Sequence, residues 1–339
     1  MNKKKVYITG ITGMVGSHLA DYLLENTNYE IIGICRWRSP TNNIKHLLDK
    51  VNKQKRLYLD YADLNDLYSI QNSIKKYKPD YVFHLAAQSY PLTSFIIPND
   101  TLNTNIIGTM NLLNSIKEFS SPKMIHVCSS SEVFGRVKKE KLPINEDCPF
   151  YPASPYAISK VGTDLVGKFF ADAYNMNVVI TRMFTHTGPR RGDVFSESTF
   201  AKQIALAEKG YCKPIIKVGN LKSMRTYADV RDAVRAYAML MKIKPSLIKG
   251  EAFNIGGNYS CTIGNMLKTL IKFSTIKNFK IKIEKKRLRP IDADLQIPDI
   301  NKFKKVSGWK PKITFKKTML DLLNYWRKKI AEEKDIIIR

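Results

Sequence analysis

A β-rich run, Val6-Tyr7-Ile8-Thr9, is followed at once by Gly10-x-x-Gly13-x-x-Gly16 and by a helical apolar pattern through Leu19, Leu23 and Leu24. This is a strand, a glycine turn and a helix in immediate succession, the unit from which parallel sheets are wound. The alternation continues. Glu30 to Cys35, Arg56-Leu57-Tyr58-Leu59, Tyr81 to Leu85, Met124 to Cys128 and Asn177 to Arg182 read as further strands, with helices opening at Asp63-Leu64 and running from Asn99 to Phe119. The pattern predicts an α/β protein with a Rossmann-type, doubly wound parallel sheet. After Arg182 the elements are broken up by loops and include a short strand ending in glycine, Ala252-Phe253-Asn254-Ile255-Gly256-Gly257. We expect a dinucleotide-binding domain over 1–182 and a smaller C-terminal α/β substrate lobe over most of 183–339, lengths that 339 residues can fill with a substantial core. The Lys-rich end beyond Trp309 reads as an amphipathic surface helix without evident chemistry.

Glycines let a backbone approach a pyrophosphate closely, and the following helix N-terminus supplies N–H groups and a favourable dipole. The spacing differs from G-x-G-x-x-G, so the three glycines alone also suit a structural turn; their context favours the phosphate. The second strand ends in Cys35-Arg36-Trp37-Arg38, with arginine where an NAD site carries a ribose-binding acid. Arg36 or Arg38 can pair with a 2′-phosphate, which favours NADP over NAD, although arginine can also stack on adenine. Ala86-Ala87-Gln88 after the fourth strand would let the backbone lie close over a cofactor. His84 reads as a satisfied core histidine, and Asn105 either as an exposed polar residue or as an internal brace.

Catalytic residue types concentrate between Ser129 and Lys160. The strand Met124 to Cys128 delivers Ser129, Ser130, Ser131 and Glu132 at its C-terminal end. Ser154 can cap a helix with Pro155 at its first position, which puts Tyr156 and Lys160 on one face, four residues apart. An ammonium one turn below a phenol favours the phenolate, so Tyr156 can accept a hydroxyl proton while Ser130 holds the same oxygen. An isolated Y-x-x-x-K is a weak signal; the serine-rich strand end and the glycine loop strengthen it. Arg190, Arg191, Arg225, Arg231, Arg287 and Arg289 together suit a second pyrophosphate, on the substrate.

The formal charge of +26 raises the possibility of a nucleic-acid surface, but the basic residues are spread along the chain with no accompanying helix-turn-helix, zinc or RNA-binding signature, so no nucleic-acid partner is expected. Five scattered cysteines without C-x-x-C spacing argue against a disulfide framework or a metal site and fit a reducing cytoplasm. The basic start is followed by an apolar run broken by glycines, and no later stretch offers about 18 consecutive apolar residues, so neither signal peptide nor membrane span is expected.

Gly10-x-x-Gly13-x-x-Gly16, His84-Leu85-Ala86-Ala87, Ser130-Ser131-Glu132 and Tyr156-x-x-x-Lys160 resemble the extended short-chain dehydrogenases/reductases that act on nucleotide sugars. Tyr151-Pro152-x-Ser154-Pro155-Tyr156, Gly188-Pro189-Arg190-Arg191-Gly192, Lys217-Val218-Gly219-Asn220, Asp229-Val230-Arg231-Asp232 and Arg289-Pro290 narrow the resemblance to GDP-mannose 4,6-dehydratases, including those acting on GDP-manno-heptose, and GDP-4-keto-6-deoxymannose reductases. The resemblance implies hydride-transfer roles for Ser130, Tyr156 and Lys160, and proton transfer at C5 for Glu132. It implies NADP or NAD contacts at Gly10, Gly13, Met14, Val15, Gly16, Arg36, Asp63, Leu64, Leu85, Ala86, Ala87, Tyr156 and Lys160. Substrate contacts are implied at Gln88, Ser130, Glu132, Thr185, Arg191, Lys202, Arg225 and Arg289, the arginines holding GDP. The chain departs from the dehydratases at Thr185-His186-Thr187, where they carry Asn-His-Glu. The expected reaction is 4,6-dehydration of a GDP-manno sugar, hexose or heptose, by a cytoplasmic homo-oligomer, dimer or tetramer. A C4 dehydrogenase retaining its cofactor, a 4-keto reductase and a non-catalytic Rossmann-fold binding protein are the alternatives.

Overall fold

Alternating side chains on the buried strands build two cores at once. In β1 (Lys5–Thr9), Val6 and Ile8 enter one core and Tyr7 the other; in β2 (Glu30–Cys35), Ile31 parts in the same way from Ile32 and Ile34. Both faces are covered, which is why these strands are almost continuously apolar. The structure, a computed structural model, describes residues 3–51 and 56–332.

The main sheet adds β3 (Leu57–Tyr61), β4 (Tyr81–His84), β5 (Met124–Ser130) and β6 (Val178–Met183). The short strands β7 (His186–Thr187), β8 (Ile215–Val218) and β9 (Met224–Asp229) follow in the chain, and β10 (Ala252–Ile255) then returns to the sheet as its seventh member. The order is β10-β6-β5-β4-β1-β2-β3, every pair parallel. The chain winds outward from β1 in one direction and resumes at β4 in the other, so a crevice opens at the C-terminal ends of these two strands.

On one face lies α1 (Met14–Asn26), packed in a common core with the helix Val230–Leu240; on the other, the helices Leu67–Tyr77, Gly108–Phe119 and Pro155–Ala173 share a core. The expected helix at Asp63-Leu64 begins instead at Leu67. Asp66 accepts from the Tyr68 N–H and so caps it, while Asp63 accepts from Asn65 N–H in the preceding turn. The segment expected as one helix over Asn99 to Phe119 starts at Pro98 and contains a π-helical turn, Asn103–Ile107.

The second lobe is built on β9, flanked by β11 (Tyr259–Thr262) and β13 (Leu295–Gln296) and joined by β7, while β12 (Lys280–Ile283) pairs with β8. Its helices Ser196–Glu208, Ile263–Phe273 and Phe315–Glu332 bury Phe200, Ile204, Met266, Leu270, Leu322 and Trp326 together. The last helix is therefore a core element of this lobe rather than a surface helix, because its apolar stripe faces the other two. The chain after residue 182 is shared between the layers: Val230–Leu240, β10, Phe303 and Trp309 pack with the main sheet.

Three buried histidines make the fold acid-sensitive. Burial pushes His84 and His126 down to about 3 and His18 down to about 4. In the unfolded chain each takes up its proton near 6.5, whereas the folded protein keeps the ring neutral, so the stabilisation is full above 6.5 and is lost as pH falls toward the folded values. Within that window each ring contributes a slope of about 1.4 kcal/mol per pH unit. We expect the urea midpoint to fall markedly between pH 7 and pH 5; an unchanged midpoint would mean that these rings titrate in the folded protein.

Candidate active site

The crevice beyond β1 and β4 widens into one cleft of about 1110 Å³ between the sheet and the second lobe. Its sheet side begins with the glycine turn. Gly10 has φ +73°, and a Cβ there would meet the Ala86 backbone at 2.9 Å, so only glycine lets the turn after β1 nest against the turn after β4. Gly13 then precedes the first turn of α1, whose residues Met14, Val15 and Gly16 line the cleft and which has no side-chain cap. Arg36 lines the cleft together with Ser39, whereas Arg38 lines a side pocket beside exposed Trp37.

A relay of hydroxyls fixes the two turns. Thr9 Oγ1 accepts from the N–H groups of Leu85 and Ala86, each at 3.0 Å. Its own proton is then directed to His84 Nδ1, 2.9 Å away, so His84 Nε2 donates to Thr109 Oγ1 and Thr109 donates to the Asn105 carbonyl. This directed chain needs a neutral imidazole, in agreement with its lowered pKa. His84 is thus a satisfied core histidine.

Asn105, on the π-helical turn, is buried and is the brace. Its side-chain oxygen accepts from Gln88 N–H, and its amide donates to Gln88 C=O and to Ser159 Oγ, which donates in turn to the Tyr156 carbonyl. Gln88 and the Tyr156 helix are thereby held to one another. The helix starts as its sequence suggests: Ser154 Oγ accepts from Ala157 N–H, and Pro155 occupies the first turn.

Ser130 ends β5 and its hydroxyl accepts from Glu132 N–H at 3.2 Å, aiming Glu132 into the cleft beside Tyr156 and Lys160. Lys160 Nζ donates to the Cys128 carbonyl at 2.6 Å, and burial lowers its pKa. Burial raises the Tyr156 phenol well above its ordinary value; a hydrogen bond with Ser130 and the charge of Arg191 pull the other way. The expectation that the Lys160 ammonium sets a low phenol pKa therefore needs correction. Desolvation outweighs the favourable charges here, and the ion that opposes it is Arg191.

The second lobe contributes the opposite wall. Arg191, Arg225, Arg287 and Arg289 line it, as do Thr185, Lys202, Trp326 and Lys329. Arg225 is buried and donates to the carbonyls of Ala293 and Met224. Arg289 stands 3.7 Å from both Glu132 and Asp292. Arg190 is held by Asp21 at 2.7 Å on α1. Arg231 does not belong to the site: Asp229 and Asp321 each hold it at 2.7 Å, away from the cleft. Apart from Arg38, in its side pocket, all the other residues proposed above for cofactor, substrate and catalysis line one cavity. Sequence reasoning missed Thr9, His186, Glu197, Tyr227 and Trp326 as cleft residues. Only Thr9, a hydroxyl at the end of an apolar strand just before the glycine turn, carried a local signal. Among the described residues no cluster of His, Cys, Asp and Glu could hold a metal ion, and no helix is long and apolar enough to cross a membrane.

The family model described as GDP-mannose 4,6 dehydratase matches residues 7–322. The chain is 32% identical to a GDP-mannose 4,6 dehydratase of Drosophila melanogaster, over 94% of this chain and 85% of that one. It is 30% identical to the human protein of the same name, over 94% and 90% of the two chains. Among solved structures, RMD from Pseudomonas aeruginosa complexed with NADPH superposes with a TM-score of 0.81 at 26% identity, covering 97% of this chain and all of that one.

Removing the Asn105 amide would strand the Gln88 N–H and C=O. Asn105→Leu is expected to lower the free energy of unfolding by about 1–3 kcal/mol, measured by urea denaturation; a loss below about 0.5 kcal/mol would show that the brace carries little.

Proposed function

Because the chain belongs to the GDP-mannose 4,6-dehydratase family, we propose that it oxidises C4 of a GDP-manno sugar, mannose or manno-heptose, and eliminates water across C5 and C6. It is an NAD(P)-dependent short-chain dehydrogenase/reductase. The observation that carries the dehydratase reading is Glu132, a carboxylate delivered into the same cleft as Ser130, Tyr156 and Lys160.

The cleft suits a dinucleotide: the close approach at Gly10, the N–H groups of α1 and the small residues Ala86 and Ala87 leave room for backbone contact with a pyrophosphate. Gly10, Gly13, Met14, Val15 and Gly16 would hold that group, with Asp63, Leu64 and Leu85 along the adenosine half and Tyr156 and Lys160 at the reactive end. When bound, NAD(P) takes hydride from C4 and can give it back at C6. Ser130 holds the C4 oxygen while Tyr156, as its phenolate, accepts the proton; the Lys160 ammonium together with the positive nicotinamide would supply the charge that offsets the burial of that phenolate. The C4 ketone acidifies the C5 hydrogen. Glu132 removes it and passes a proton to the departing C6 hydroxyl, a role worth about 10²–10⁴-fold in rate. Arg191, Arg225 and Arg289, with Lys202 nearby, supply positive charge and forked donors for the GDP phosphates, and Gln88 and Thr185 face the sugar. A homo-oligomer is supported by the exposed apolar residues Ile158, Leu165 and Phe169 along one helix. The five free cysteines suit a reducing cytoplasm.

Arg36 supports NADP over NAD. Arg36→Ala is expected to raise the Kd for NADP by about tenfold or more, as loss of a charge-assisted phosphate contact does, and to leave NAD nearly unchanged. Equal weakening of both would reduce Arg36 to an adenine-stacking residue.

The reaction itself is tested in deuterated water with GDP-mannose and GDP-manno-heptose. The wild-type product should be lighter by one water and carry one solvent deuteron at C5. Glu132→Gln should still oxidise C4 but fail to eliminate, so that reduced cofactor accumulates and C5 exchange stops. A wild-type product that keeps its C6 hydroxyl beside a 4-ketone would refute the dehydratase reading in favour of a C4 dehydrogenase.

A further inference from the structure

Tyr90 reaches from the sheet wall of the cleft to the lobe wall and keeps its hydroxyl uncommitted. Its half-buried ring meets the Phe195 ring edge-on at 5.7 Å, and Phe195 carries the Arg191 guanidinium 3.4 Å from its centroid. Packing of this kind needs only the ring, and phenylalanine would serve it as well. The Tyr90 hydroxyl makes no hydrogen bond among the described residues, nor is it one of the buried polar atoms left without a partner. It stands open to the cleft that Tyr90 lines.

The backbone of Tyr90 is held more firmly than its place between two elements requires. Gln88 Oε1 accepts from the Tyr90 N–H at 2.9 Å and Gln88 Nε2 donates to its carbonyl at 3.2 Å, while Asn105 holds the Gln88 backbone. Pro91 then opens a short helix in which buried Ser94 accepts from the Tyr156 N–H at 3.0 Å. Tyr90 is thereby fixed in register with the catalytic helix, and a phenol so placed loses little freedom on meeting a ligand. The charges that act on it come from the opposite wall: burial raises its pKa, and Arg289 and Arg287 lower it. Arg289 in turn stands 3.7 Å from Glu132, which puts this contact at the reactive end of the cleft. Guanidiniums only donate, so an anion drawn to them brings acceptors and leaves the hydroxyl to donate. On the substrate proposed above, the anion nearest the reacting sugar is the phosphate that carries it.

We propose that Tyr90 is a substrate-binding residue, its hydroxyl donating from the sheet wall to the sugar-linked phosphate opposite Arg289. The assignment rests on the nucleotide-sugar reading above. GMP, GDP and GDP-mannose would each be titrated calorimetrically into the NADP-loaded wild type and into Tyr90→Phe, which keeps the ring and its contact with Phe195. GMP lacks the phosphate in question, and GDP keeps it without the sugar. Tyr90→Phe, with folding confirmed by its thermal melt, is expected to bind GDP and GDP-mannose about tenfold more weakly, the size of a lost hydrogen bond to a charged group, and GMP as the wild type does. A GDP affinity within about twofold of wild type overturns the proposal, and a loss confined to GDP-mannose then moves the hydroxyl to the sugar. An equal loss for all three compounds overturns it too, by moving the hydroxyl to the nucleoside side. A second measurement retains the hydroxyl: with fluorotyrosine at position 90, GDP should shift the fluorine resonance and GMP should not, and the same shift with both overturns the assignment. Failure of the wild type to bind either GDP or GDP-mannose would instead remove the nucleotide-sugar reading on which Tyr90 depends.

Discussion

The hydroxyl of Thr9 holds the crevice in shape. By accepting from two successive backbone N–H groups after β4, it ties the end of β1 to the turn that follows the neighbouring strand, at the point where the sheet reverses its winding. Its proton starts the directed chain through His84 and Thr109 to Asn105, and from Asn105 bonds run to Gln88 and to the Tyr156 helix. The glycine turn, the segment at Gln88 and the Tyr156 helix are thus registered against one another by a single buried polar network. Such a network is stabilising only when every member is satisfied, and here each proton has a definite acceptor.

The strongly basic composition takes on a specific meaning at the cleft. Most cationic residues are spread over the surface, but several that line the cleft are positioned by backbone carbonyls or carboxylates: Arg225 by Ala293 and Met224, Arg190 by Asp21, Lys202 by Asp193. A positioned guanidinium loses less freedom on meeting a phosphate than a free one, so charge and preorganisation act together. Arg231 shows the converse. It lies among the same arginine-rich segments, yet two carboxylates hold it outside the cleft and leave it a structural role.

Much of this was legible in the sequence, because the parallel sheet imposes near-continuous apolar runs and the first turn demands glycine. The capped start of the Tyr156 helix was equally readable: Ser154 and Pro155 each act within a few residues of their position. What escaped was non-local. Whether Asn105 is exposed or buried depends on the π-helical turn around it, and a single extra residue in a helical turn leaves no periodic signature. The final helix looked superficial because its lysines dominate the composition, while its buried stripe, Phe315, Met319, Leu322 and Trp326, is satisfied only by the lobe's other helices. Burial also decides the Tyr156 phenol, and no spacing rule reports the desolvation of a side chain.

Glu132 and Glu197, both among the carboxylates that line the cleft, are held in opposite ways. Glu197 is buried, with one oxygen accepting from Ser196 and the other paired with Arg191 at 3.4 Å, so it cannot swing without breaking both contacts. Glu132 is bound through its backbone N–H to Ser130, while the ion-pair partner of its side chain among the described residues is Arg289 at 3.7 Å, beyond hydrogen-bond range. A carboxylate that must take a proton from one carbon and deliver one to an oxygen on the next needs rotational freedom at the head and a fixed base. Glu132 is held loosely enough for the proton transfer proposed for it, while Glu197 stands fixed on the lobe wall.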